Sequence, residues 1–228
     1  MPPTVTIGRE LPLNQLTELL RLECAMAGFT EVLTWALVSH AENFENVRKE
    51  DQGTEAVAIG NPQTVEFEVC RTSLLPSALK TVGANKSEML PIRLFEVSDC
   101  ILLDPTKDVG AGNRRKLVAV HCTRSSEFEV IHGLLNRVME VLGCPLANSG
   151  DPRERAFGGG YEWRASDDVG ALFPGRQAKI FVRGKEVGYF GIVHPEVLGK
   201  FDIPFPVCAL EMDIEWALYD QGYKPINS

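Results

Sequence analysis

The sequence predicts an α+β fold: a mainly antiparallel sheet flanked by helices. Three observations predict it. Two long amphipathic helices are legible, at 11–27 and 127–143. Two long strands, 91–103 and 116–123, flank a Gly-, Asp- and Asn-rich loop in the manner of a hairpin. Four further strands are crowded into 161–214 with short turns between them. Short turns rather than helical crossovers argue against a doubly wound parallel sheet.

In chain order, the first helix carries Leu13, Leu16, Leu20, Cys24 and Ala27 on one face. Leu11, Leu19, Leu22 and Met26 lie on a second face, with Asn14, Thr17, Glu18 and Arg21 between them. A helix apolar on two sides is usually sandwiched, either within its own domain or against another subunit. Gly28 ends it, and a buried strand is expected over 30–38. Ser39-His40-Ala41-Glu42 has the form of a capping box and starts a short helix.

A polar loop follows, then a strand at 55–59 and a turn at Gly60-Asn61-Pro62. After an extended 67–71, Thr72 or Ser73 caps a helix bearing Leu74, Leu75, Ala78, Leu79 and Val82, with Pro76 in its first turn. The hairpin comes next, then the second amphipathic helix with Phe128, Ile131, Leu134, Leu135, Val138 and Leu142 on one stripe. Residues 147–160 read as a loop. Strands at 161–166, 176–182, 186–193 and 206–214 complete the order, with a short helix starting at His194-Pro195-Glu196.

The chain has 228 residues, 44% apolar and 24% charged, with a formal net charge of -8. An acidic balance argues against autonomous DNA or RNA binding, because the phosphate backbone demands a basic surface. No apolar run approaches the roughly 20 residues that span a bilayer. The opening MPPTVTIGREL lacks the basic and apolar regions of a signal peptide. The six cysteines are scattered singly, with no C-x-x-C pair, and read as free buried thiols of a cytoplasmic protein.

Few residues carry a chemical signature. Val109–Arg115 is glycine-containing, but a strand follows it rather than a helix, so the phosphate-binding logic is missing. His40, His121, His132 and His194 show no metal-ligand spacing and read as structural. Glu96 and Asp99 are an odd number of residues apart on a strand and face opposite ways. Phe173-Pro174-Gly175-Arg176 reads as a turn with an exposed arginine. No metal, cofactor or catalytic residue is assigned within this segment.

The stretch Gly28-Phe29-Thr30-Glu31-Val32-Leu33-Thr34-Trp35-Ala36-Leu37 resembles motif 1 of class II aminoacyl-tRNA synthetases, with Trp35 where that class usually has proline. Downstream, Asn61-Pro62, Arg71–Pro76, Leu79-Lys80, Leu94–Ser98, Phe128–Leu135, Phe173–Arg176, Val187–Gly191 and His194–Glu196 follow the order of one family along nearly the whole chain. That family is the beta subunit of phenylalanine–tRNA synthetases of the archaeal and eukaryotic cytosolic type. The segment resembles its C-terminal catalytic-like module.

The resemblance implies a class II synthetase-like single domain at 11–218, a linker at 1–10 from upstream domains, and a tail at 219–228. It implies a partner, the alpha subunit, which holds the active site. It also implies an (alpha-beta)2 enzyme that charges tRNA with phenylalanine using ATP and Mg, without DNA or membrane partners.

Motif 1 is an interface element in that class. With the helical-wheel reading, this marks Leu19, Leu22, Met26 and Trp35 as subunit-interface candidates. Class II motif 2 places an arginine two residues before its acid. If that acid is Glu96, the position holds Leu94, and the adjacent Arg93 faces the other way. The last strand, 208–214, lacks the glycines and following arginine of motif 3. The implied role is a non-catalytic assembly module. Two alternatives stay open: an autonomous ATP-dependent ligase using Arg93 or Arg176, and a tRNA-contacting module.

Overall fold

The computed structural model describes residues 10–220. Helix α1 (Pro12–Met26) leads through Gly28, whose φ of +86° suits a residue without Cβ, to the short strand β1 (Thr30–Glu31). The expected single strand 30–38 is broken in two. β1 pairs in parallel with β4 (Ile92–Leu103), and β2 (Leu37–Val38) pairs with β3 (Val69–Cys70) in a separate two-stranded sheet. Between them the backbone turns its polar groups elsewhere, Thr34 N–H bonding the Glu96 carboxylate at 3.3 Å.

The capping box forms as read. Ser39 Oγ accepts from Glu42 N–H at 3.1 Å, and the Glu42 carboxylate accepts from Ser39 N–H at 3.4 Å, opening α2 (His40–Asn43). Residues 55–59 do not form a strand. Ala56 bridges Leu102 and Ala58 bridges Val69, so their backbone bonds are split between two separate partners. Helix α3 (Leu75–Ala84) follows, with Ser73 Oγ accepting from Leu75 N–H at 3.1 Å.

β4 and β5 (Ala111–Cys122) make the expected hairpin, in register from Ile92↔Cys122 to Leu103↔Ala111. β5 starts earlier than its apolar run, because the long β4 carries polar Asn113 and Arg114 along as ladder partners of Ile101 and Cys100. After α4 (Phe128–Val141), the expected loop contains a five-residue helix, α5 (Arg153–Phe157), too short and polar to show a period. Strands β6 (Tyr161–Ala165), β7 (Leu172–Val182) and β8 (Lys185–Val193), helix α6 (Pro195–Lys200), strand β9 (Val207–Asp213) and helix α7 (Trp216–Asp220) complete the chain.

The main sheet has seven strands in the order β1-β4-β5-β9-β8-β7-β6, antiparallel at every pair except β1 with β4. Alternation along the strands builds two cores. Phe95, Val97, Leu117, Ala119, Leu210 and Met212 pack with α1 and α4. Leu94, Val118, Val120 and Ala209 pack with α3 and α6 on the other face. β8 and β9 approach so closely at Gly188 that a Cβ would lie 2.3 Å from the Glu211 carbonyl oxygen.

All six cysteines are buried and free, and burial pushes the Cys24 and Cys100 thiols up to about 12. No described helix is long and apolar enough to cross a membrane. Of the expected linker and tail, residues 1–9 and 221–228 lie outside the described residues, and α7 carries the backbone to Asp220.

Candidate functional site

The face of the sheet that packs α3 also carries the buried Glu96 and Glu211. Arg71, after β3, crosses to β4 and is consumed there. Its Nη1 meets Glu96 Oε1 at 3.0 Å and Thr34 Oγ1 at 2.8 Å. Its Nη2 bonds Ser98 Oγ at 2.6 Å, and its Nε bonds the Asp99 carbonyl at 3.0 Å. The second Glu96 oxygen accepts from the Thr34 hydroxyl at 2.6 Å. Both members of the ion pair are buried, and every oxygen of the carboxylate is occupied.

A second network sits along β5, β8 and β9. The Glu211 carboxylate accepts from Ser73 Oγ at 2.5 Å, Tyr189 OH at 2.7 Å, Leu74 N–H at 3.2 Å and Lys116 Nζ at 3.2 Å. Burial alone would raise its pKa. The Lys116 charge and the two hydroxyls outweigh that, and it lies below the ordinary carboxylate value. Burial opposes the charge on Lys116, but Glu211 more than offsets it, so the ammonium is held above its ordinary pKa. Burial, followed by the Glu211 charge, drives the Tyr189 phenol well above its own.

This network floors a cleft of about 650 Å³, walled by the segment 43–55 and the loop at 168–171. Four basic side chains line it, and each has a carboxylate partner. Arg48 meets Glu196 at 3.1 Å, Lys49 meets Glu55 at 2.5 Å, and Lys116 meets Glu211 at 3.2 Å. Lys179 meets Asp168 at 3.3 Å and Glu186 at 3.2 Å. Neither Arg93 nor Arg176 reaches this cleft. Arg93 bonds His121 Nδ1 at 3.3 Å, and Arg176 lies on the α4 side of the sheet. Leu94 is buried in the core against α3.

The interface candidates all lie on the outside. Leu19 is 42% exposed, Leu22 60%, Met26 72% and Trp35 78%. The first three share the outward side of α1, while Leu16, Leu20 and Cys24 on its inner side are buried. Trp35 belongs to neither core; its ring stands edge to face against Phe67 at 6.3 Å. Leu33, missed in the sequence, is 80% exposed beside it. The turn from α1 into β1 is fixed by Arg21, which grips Glu31 at 2.5 and 2.8 Å, and by Phe29, which is buried beneath it.

Arg71 was also missed as a core cation. A lone arginine in the run Val69-Cys70-Arg71-Thr72-Ser73-Leu74 is the signal that marks it. Two of the histidines take structural places. His194 Nδ1 caps α6 by accepting from Glu196 N–H at 3.2 Å, and buried His121 meets Glu127 at 3.0 Å. The expected opposition of Glu96 and Asp99 holds: Asp99 pairs with Arg115 at 2.5 Å, and Arg115 in turn reaches Thr17 of α1.

A family model described as the phenylalanyl tRNA synthetase beta chain CLM domain matches residues 1–214. The chain belongs to this family. The relatives agree in name. The cytoplasmic phenylalanine–tRNA ligase beta subunit of Arabidopsis thaliana is 51% identical over 91% of this chain and 34% of its own length. The beta subunit of Homo sapiens is 47% identical over 94% of this chain and 35% of its own. That of Saccharomyces cerevisiae is 38% identical over 92% and 36%. The chain thus spans about a third of the length of the curated relatives it matches.

Among solved structures, the pyrrolysyl-tRNA synthetase PylSc of Desulfitobacterium hafniense superposes with a TM-score of 0.72 at 14% identity, over 95% of this chain and 71% of that one. That likeness carries the fold: the beta-chain CLM domain has a class II aminoacyl-tRNA synthetase-like sheet.

Proposed function

We propose that this chain is the non-catalytic, catalytic-like module of the beta subunit of a cytoplasmic phenylalanine–tRNA ligase. In this reading it pairs with a catalytic alpha subunit to build an (alpha-beta)2 enzyme that charges tRNA with phenylalanine using ATP and Mg. Residues 11–218 form its single domain, 1–10 a linker to upstream domains and 219–228 a tail.

One observation carries the non-catalytic part: every basic side chain lining the cleft is already matched by a carboxylate. A triphosphate would have to displace those partners or leave its own charge uncompensated. The residues of this cleft therefore do not fit ATP. The apolar outer side of α1, and separately Leu33 and Trp35, support pairing, because exposed apolar surface is costly to leave in water.

Co-expression with a candidate alpha subunit tests the reading. A stable complex with equal numbers of the two chains is expected, with ATP–pyrophosphate exchange only when the alpha subunit is present. Phenylalanine-dependent exchange by this chain alone would overturn it in favour of an autonomous ligase. A tRNA gel shift by the chain alone that survives moderate salt would favour the tRNA-contacting reading.

A further inference from the structure

On the opposite face of the sheet from the cleft, a pocket of about 350 Å³ opens between α4, β6, β7 and β8. That is within the size range of small-molecule sites. Its wall is aromatic. Phe128 stacks on Phe190 at 5.2 Å, His132 stacks on Phe190 at 5.5 Å, and Trp163 stands edge-on to His132 at 5.7 Å. Phe190 is buried, whereas Trp163 is exposed at the mouth.

The charged residues of this pocket differ from those of the cleft. Arg176 and Glu129 both line it, and neither has a hydrogen-bond or ion-pair partner among the described residues. Arg176 is not on a loose loop. The Phe173-Pro174-Gly175-Arg176 stretch is a bulge in β7, where the five-residue step from Leu172 to Gln177 faces a two-residue step from Val193 to Gly191.

The bulge is fastened on both sides. The buried Gln177 amide bonds Val169 N–H at 3.0 Å, the Val169 carbonyl at 3.2 Å and the Leu172 carbonyl at 3.3 Å. Gly175, at φ +71°, donates its N–H to Asp167 at 2.5 Å. Phe173 stacks on His194 at 5.7 Å. A bulge fastened by these bonds therefore presents one guanidinium unpaired among the described residues to an aromatic-walled pocket, which one carboxylate, likewise unpaired, also lines.

We infer that this pocket binds a free α-amino acid with a single aromatic ring: its ring against Phe128, His132 and Trp163, which Phe190 backs from within, its carboxylate on Arg176 and its ammonium on Glu129. The chemistry follows from the three features together. Aromatic faces take a ring edge-on or offset-stacked. A guanidinium takes a carboxylate in a fork. An unpaired carboxylate takes an ammonium. The inference does not rest on pairing with an alpha subunit, and its test uses this chain alone, so its failure would leave that reading standing.

Calorimetric titration of the full chain with L-phenylalanine tests it. Saturable binding is expected, at least about tenfold tighter than that of L-leucine, and weakened at least about tenfold by Arg176→Ala, Glu129→Gln or Trp163→Ala. Two fragments separate the charges. 3-Phenylpropionate, which lacks the ammonium, is expected to lose affinity in Arg176→Ala and keep it in Glu129→Gln; 2-phenylethylamine is expected to do the reverse. Both charged side chains are on the surface, so circular dichroism should show both variants folded. Absence of saturable L-phenylalanine binding, equal binding of L-leucine, or fragments that respond alike to both variants would each overturn the inference.

Discussion

The α3 side of the sheet and the outward side of α1 treat polarity in opposite ways. On the first, charged side chains are buried and fully partnered: Arg71 with Glu96, and Lys116 with Glu211. On the second, large apolar side chains stand in water: Leu19, Leu22 and Met26, as do Leu33 and Trp35 in the segment between β1 and β2. An enzyme domain commonly does the reverse, keeping charges accessible in its cleft and its apolar groups inside. The difference teaches that this fold uses its buried charges to hold its own elements together while leaving large apolar side chains in water, which the proposed pairing would cover.

Breaking the buried side should have the largest effect. Arg71→Ala or Glu96→Ala leaves a buried charge without its partner, and should cost about 3–5 kcal/mol in denaturant unfolding. Replacing both with apolar residues should recover a large part of that loss. If either single change costs under about 1 kcal/mol, the pair is not what ties 34–35, 71 and β4 together.

Glu211→Gln comes next, at about 2 kcal/mol near neutral pH, because Lys116 loses its counter-charge. Its pH dependence has a definite sign. The folded Glu211 pKa is depressed, so its contribution is present above the ordinary value of 4.5 and is lost as pH falls through the folded value. Thermal unfolding of the Glu211→Gln variant should therefore vary less with pH across that acid limb than the parent does.

Effects on the outward side should be small in the isolated chain. Arg21→Ala removes a partly exposed ion pair with Glu31 and should cost less than about 1 kcal/mol. Leu33→Ser with Trp35→Ser should change stability by no more than about 0.5 kcal/mol, since neither side chain reaches a core. A melting-temperature loss as large as that of Arg71→Ala would place these residues in the folding core and erase the contrast.

The parts of this contrast legible in the sequence are those written in local period. The two faces of α1, the capping box at Ser39 and the hairpin strands follow from spacing alone, and Leu19, Leu22 and Met26 are where the wheel puts them. The rest depends on contacts far apart in the chain. Arg71 meets Glu96 across 25 positions, and Ser73 meets Glu211 across 138. No period reports such a pairing. The apolar run 30–38 looked like one buried strand because Leu33 and Trp35 are as apolar as core residues; their exposure is set by where Thr34 is tied to Glu96. The sequence shows 173–176 only as a turn; that it is a bulge inside β7 depends on the Gln177 side chain, which no local pattern reports.

The most direct test of the central claim is a double variant, Leu19→Asp with Met26→Asp, measured two ways. Unfolding of the isolated chain reports its own stability, and titration against the alpha subunit reports association. A melting temperature within a few degrees of the parent and a complex weakened at least about a hundredfold are expected. A large fall in melting temperature with association unchanged would contradict it, and would assign the outward side of α1 to the module's own core.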